Sequence, residues 1–76
     1  MNTIDTMTEV RSDVWHSAPT PAGTTLIVER MTGRDEDSAY VVTEFSAARW
    51  GTGHYLICDG VTRDEAFAAV AKRTDA

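Results

Sequence analysis

Two β-branched, aromatic-rich runs, Thr24-Thr25-Leu26-Ile27-Val28-Glu29-Arg30-Met31 and Ala39-Tyr40-Val41-Val42-Thr43-Glu44-Phe45, flank the polar segment Thr32-Gly33-Arg34-Asp35-Glu36-Asp37-Ser38. Val, Ile, Thr, Tyr and Phe suit a pleated, half-buried surface, and the Gly, Asp and Ser between the runs are turn formers. The stretch therefore predicts a central β-hairpin over 24–45. The remaining segments are short enough to pair with it or to cover it.

Downstream, Ser46-Ala47-Ala48-Arg49-Trp50-Gly51-Thr52-Gly53 reads as a loop, followed by a third strand over His54-Tyr55-Leu56-Ile57-Cys58. Asp59-Gly60 reads as the turn pair that ends this strand. A helix over 62–73 follows. Thr62 is its N-cap, Glu65 completes a capping box, and Val61 staples the first turn. Asp64 and Glu65 suit the positive end of the helix dipole, and Lys72 and Arg73 the negative end. Ala66, Phe67, Val70 and Ala71 form an apolar stripe, with Arg63, Asp64 and Ala68 towards solvent. So short a helix is marginal alone, so Phe67 and Val70 must dock on the sheet.

Upstream, Ser17-Ala18-Pro19-Thr20-Pro21-Ala22-Gly23 (17–23) is a connector whose prolines hold the backbone extended. Val10, Ser12 and Val14 alternate with Glu9, Arg11 and Asp13, which favours an edge strand over Glu9 to His16 rather than a helix. Residues 1–8 are expected to fray. The prediction is one α+β domain over 1–76. It is a three- or four-stranded antiparallel β-meander with one C-terminal α-helix packed on one face.

Its 76 residues bound the function as well. A core this small leaves little room for a deep cleft with a supporting shell, which argues against an enzyme. No apolar run approaches the ~20 residues that cross a bilayer. The lone Cys58 excludes an internal disulfide framework and fits a reducing, cytoplasmic setting. Twelve acidic against seven basic residues give a net charge of −5, which opposes generic contact with nucleic acid or anionic membrane.

No Cys-x-x-Cys, His-Glu-x-x-His or Gly-x-Ser-x-Gly pattern occurs. In a strand His54 and Cys58 share a face but stand about 13 Å apart, too far to ligate one metal ion. Asp35-Glu36-Asp37 lacks the spacing of a calcium loop and reads as a solvated tip. Gly51-Thr52-Gly53 precedes a strand, whereas phosphate loops follow one. No metal, cofactor or catalytic residue is expected.

Alternation in the strands is not clean. Leu26, Val28 and Arg30 oppose Thr25, Ile27, Glu29 and Met31; Val41, Thr43 and Phe45 oppose Tyr40, Val42 and Glu44; Leu56 and Cys58 oppose Tyr55 and Ile57. Apolar side chains are thus left on the side away from the helix whichever register holds. Residues 1–18, with Trp15 as the main cover, account for that face. An interface accounts for it too, including a homodimer through the second sheet face.

A meander followed by a helix is shared by many unrelated modules and, were the N-terminus helical, resembles double-stranded-RNA-binding domains, but the basic helix start those domains use is replaced here by Thr62-Arg63-Asp64-Glu65. The profile of a short, acidic chain without a catalytic motif resembles that of phage- or plasmid-encoded inhibitors such as anti-CRISPR proteins, a likeness of type that rests on no motif. It implies a non-enzymatic interaction protein that engages a basic partner surface, as a nucleic-acid mimic does. The residues assigned to that contact are Glu29, Asp35, Glu36, Asp37 and Glu44, with Tyr40, Arg49 and Trp50 as anchors. The alternative is a small nucleic-acid-binding regulator that uses arginines and aromatics on the sheet, which requires Arg11, Arg30, Arg34 and Arg49 to cluster.

Overall fold

The computed structural model describes residues 7–20, 22–48 and 51–74, with side chains throughout except at 47, 48, 51 and 52. Five strands, β1 (Met7–Arg11), β2 (Val14–Ser17), β3 (Thr25–Arg30), β4 (Tyr40–Ala48) and β5 (Gly51–Val61), precede one helix, α1 (Arg63–Thr74). They form a single antiparallel sheet in sequence order. The α+β meander with a C-terminal helix is as expected. The strand count is five rather than three or four, because the N-terminal segment folds into a hairpin of its own.

That hairpin turns at Ser12-Asp13. Asp13 takes a positive φ of 63°, a conformation Asp tolerates better than most residues. The Asp13 amide donates to the Glu9 carboxylate, and the Arg30 amide donates to the Asp13 carbonyl. Met7 and Thr8, within the stretch 1–8 expected to fray, pair instead with Ser17 and His16. Residues 1–6 lie outside the described part of the chain.

The β2–β3 ladder closes with a side chain. Ser17 Oγ accepts the Leu26 amide, which replaces the ladder bond missing beyond His16↔Ile27. In the connector Thr20 then holds Thr24 by backbone and hydroxyl bonds.

Helix α1 begins as its sequence demands. The Thr62 amide donates to Glu65 Oε1 at 3.0 Å, and the Glu65 amide donates to Thr62 Oγ1 at 3.1 Å, a reciprocal capping box. Ala66, Phe67 and Val70 are buried against Leu26, Val28, Ala39, Tyr40 and Val42. Met7, Trp15, Ile57, Cys58 and Val61 pack around this cluster.

Trp15 does not cover the second face. The register Trp15↔Val28↔Val42 puts it on the helix side, where its ring meets Phe67 edge-on at 5.6 Å and Tyr40 at 6.2 Å. The reason is in-plane growth: β1 and β2 lengthen the sheet instead of folding beneath it. Among the described residues no helix or strand covers the face away from α1.

Strand β5 departs furthest from expectation. Gly51-Thr52-Gly53 is not a loop but pairs with Ser46–Ala48, and the ring of Tyr55 lies over Gly53. The ladder slips between Val42↔Cys58 and Thr43↔Leu56, leaving Ile57 as an extra residue. In such a bulge both bulged side chains turn to one side, so Ile57 and Cys58 both reach the core while Leu56 stands on the open face. Leu56 and Cys58 thus do not share a face, and neither do His54 and Cys58. Asp59-Gly60 is likewise a bulge inside the strand and not its end. Gly60 has a φ of 72° and is skipped between Val41↔Asp59 and Tyr40↔Val61. Glycine carries that φ without a Cβ penalty.

Candidate functional site

The β3–β4 connection carries Asp35, Glu36 and Asp37, and packing places it beside the first turn of α1. A 3₁₀ turn over Glu36–Ser38 bends it, and the Met31 amide closes its base on the Ala39 carbonyl at 2.7 Å. Glu36, Asp37, Thr62, Arg63 and Asp64 line one shallow cleft of about 310 Å³. Asp35, Glu36, Asp37, Asp64 and Glu65 are all exposed, so one end of the molecule is rich in carboxylates.

The floor of this end is braced by side-chain contacts. Arg63 lays its guanidinium over Phe67 at 4.9 Å and over Trp15 at 5.6 Å, a cation–π roof on the aromatic cluster. Glu36 accepts two bonds from Arg30, at 2.8 and 3.0 Å, and one from the Tyr40 hydroxyl at 3.0 Å. The bond from Arg30, then that from Tyr40, holds the Glu36 carboxyl below its usual range. Burial, then the bond to Glu36, pushes the Tyr40 phenol up. Backbone and hydroxyl bonds from Thr62 lower Glu65 in the same direction. Both glutamates are thus held ionised.

The residues assigned to partner contact separate in space. Asp35, Glu36 and Asp37 stay together and are joined by Asp64. Tyr40 is buried in the core, so its ring is not available as a surface anchor. Glu44 lies on the helix side near the other end of α1, where it accepts from the Thr24 hydroxyl at 2.7 Å and pairs with Arg73 at 3.4 Å. Glu44 lines a separate cleft of about 480 Å³ with Thr20, Ala22, Ile57, Ala69, Lys72 and Arg73. Glu29 is half-buried on the open face between Val14 and Val41. Arg49 and Trp50 lie outside the described residues.

The arginines separate as well. Arg30 stands on the helix side and is tied to Glu36, Arg34 donates to Asp59 at 2.6 Å, and Arg11 pairs across from Val14 at the far edge. Cys58 is half-buried, and its partial burial raises its thiol above the ordinary range. Among the described residues no three His, Cys, Asp or Glu side chains are placed to hold a metal ion, and no helix is long and apolar enough to cross a membrane.

In the sequence Asp64 reads as a solvent-facing residue that suits the helix dipole. Its place beside Asp37 depends on where α1 docks, which no local pattern encodes. Comparison with protein-family models, with curated proteins and with solved structures finds no significant match.

Proposed function

We propose that this protein is a non-enzymatic binding module whose acidic end, Asp35, Glu36, Asp37 and Asp64, engages a partner with a basic surface. The observation that carries this reading is the single cleft shared by the hairpin loop and the helix start. Carboxylates held close together on a braced floor focus a negative field, and with a net charge of −5 they steer a cationic partner toward that end. Glu36 is fixed by Arg30 and Tyr40 and orients the loop, whereas Asp35, Asp37 and Asp64 make no side-chain bond to another described residue that would compete with a partner's Arg or Lys.

A protein that holds a phosphate backbone presents such a basic surface. Occupying it would inhibit that protein, in the manner of a nucleic-acid mimic. The scattered, largely paired arginines weigh against the nucleic-acid-binding alternative, since a phosphate-tracking groove needs them together.

The test is comparative capture from the native source on immobilised protein, with the triple variant Asp35→Asn, Asp37→Asn, Asp64→Asn alongside wild type. A protein retained by wild type, lost with the variant and eluted by salt supports the reading. Equal capture by both, or tighter nucleic-acid binding by the variant with no protein change, contradicts it.

A further inference from the structure

The open face is ordered into rows. Across the sheet run Arg11, Val14, Glu29, Val41 and Asp59; then Thr8, His16, Ile27, Thr43 and Leu56; then Thr25, Phe45 and His54. Val14 is buried yet lies outside the core cluster, as its place on this other side requires. Leu56 is 65% exposed, and the Phe45 and His54 rings lean together at 4.9 Å. No described element covers these residues. Ile27, Val41, Phe45 and Leu56 thus make a contiguous apolar stripe, with the buried Val14 at its edge, of the kind that marks an interaction surface.

We infer that this face packs on the same face of a second copy, forming a two-sheet sandwich about a twofold axis along the His16–Ile27–Thr43–Leu56 row. Two features select a second copy despite the net charge of −5. The first is local neutrality: Arg11 and the Asp59-bound Arg34 offset Glu29 and Asp59, so the negative charge lies elsewhere, much of it at the acidic end. The second is polarity along the strands. Carboxylates occupy the first row, and the third row carries an imidazole and no acid.

A twofold axis along the strands would set Glu29 over its own copy. An axis along the middle row stacks Ile27 and Leu56 on their own copies and brings Asp59 opposite the partner copy's imidazole, which donates to a carboxylate in either protonation state. Inner faces of packed sheets stand about 10 Å apart, which side chains of this size fill. Five strands and three rows give a contact of roughly 20 by 15 Å. That is roughly 300 Å² on each copy, about 600 Å² in total and below the ~1,200 Å² of standard specific interfaces, so the dimer is a weak, transient one. This association uses a different surface from the acidic end and does not rest on the function proposed for it.

Sedimentation equilibrium of the full chain from about 1 µM to 1 mM tests it. The expected result is a monomer–dimer equilibrium that Leu56→Asp shifts at least tenfold toward monomer, with an unchanged circular-dichroism melt because Leu56 is exposed. The axis is tested in a Cys58→Ala background. Thr43→Cys, on the axial row, should be joined to its own copy by a bis-maleimide with a short, two-carbon spacer, which suits sheets about 10 Å apart, and Thr25→Cys, off it, should not. A chain monomeric at 1 mM, or a dimer indifferent to Leu56→Asp, overturns the proposal. A dimer in which Thr25→Cys cross-links and Thr43→Cys does not overturns its geometry.

Discussion

Trp15, from a four-residue strand near the N-terminus, meets Phe67, from the C-terminal helix, edge-on with ring centroids 5.6 Å apart. The contact ties the two ends of the chain across the sheet, and Arg63 seals it from above. Edge-to-face aromatic pairs add about 0.5–1.5 kcal/mol beyond the area they bury.

Phe67→Ala should therefore cost about 3–5 kcal/mol, and Trp15→Ala should destabilise through the same cluster. A double-mutant cycle on chemical denaturation should show the two losses to be less than additive, because each removes the other's partner. Additive losses would mean that the rings do not share one site.

The helix start gives a second expectation. Thr62→Ala removes a cap worth about 1 kcal/mol. Glu65 is held below its usual range by Thr62, and Glu36 by Arg30 and Tyr40. A depressed carboxyl contributes stability that is present above its unfolded pKa and is lost as pH falls through the folded one. The melting temperature should thus hold near neutrality and fall below about pH 4. Glu36→Gln combined with Glu65→Gln should flatten that fall, as thermal melts between pH 7 and 2.5 would reveal.

Gly60→Ala should destabilise by about 1–2 kcal/mol, since φ is 72° there and L-residues are disfavoured in the left-handed region. Among the described residues no atom beyond Gly60 and its two chain neighbours lies within 4 Å of the added methyl, so the cost lies in the local backbone conformation and not in packing. Gly60→Asn should recover part of it.

Burial raises the Cys58 thiol, which lowers its thiolate fraction at neutral pH. Iodoacetamide at pH 7.5 should alkylate the folded protein more slowly than the urea-unfolded one, as mass spectrometry would show.

How much of this was legible depended on range in sequence. The capping box lies within three residues of itself, so Thr62 and Glu65 announced the helix directly. The Thr24–Phe45 hairpin was equally plain from its β-branched runs. Bulges are decided by pairing instead: nothing local to Ile57 or Gly60 shows that β4 skips them, and each skip changes what its neighbours face. The side taken by Trp15 follows from the Ser12-Asp13 turn, which sets the register of a strand only four residues long. The acidic end was half legible. Asp35, Glu36 and Asp37 stood out as a run, but Asp64 joins them only once α1 has docked.

The direct test of the acidic-end account is the association rate of the captured partner with wild type and with Asp35→Asn, Asp37→Asn, Asp64→Asn. This variant takes the net charge from −5 to −2 while leaving the Glu36 bonds in place. The account predicts an on-rate lowered about tenfold at low ionic strength, a shallower dependence on salt and a cooperative melt lowered by no more than the ~0.3–1 kcal/mol that Asp64 contributes at the helix start. An on-rate equal to that of wild type at every salt concentration would contradict it.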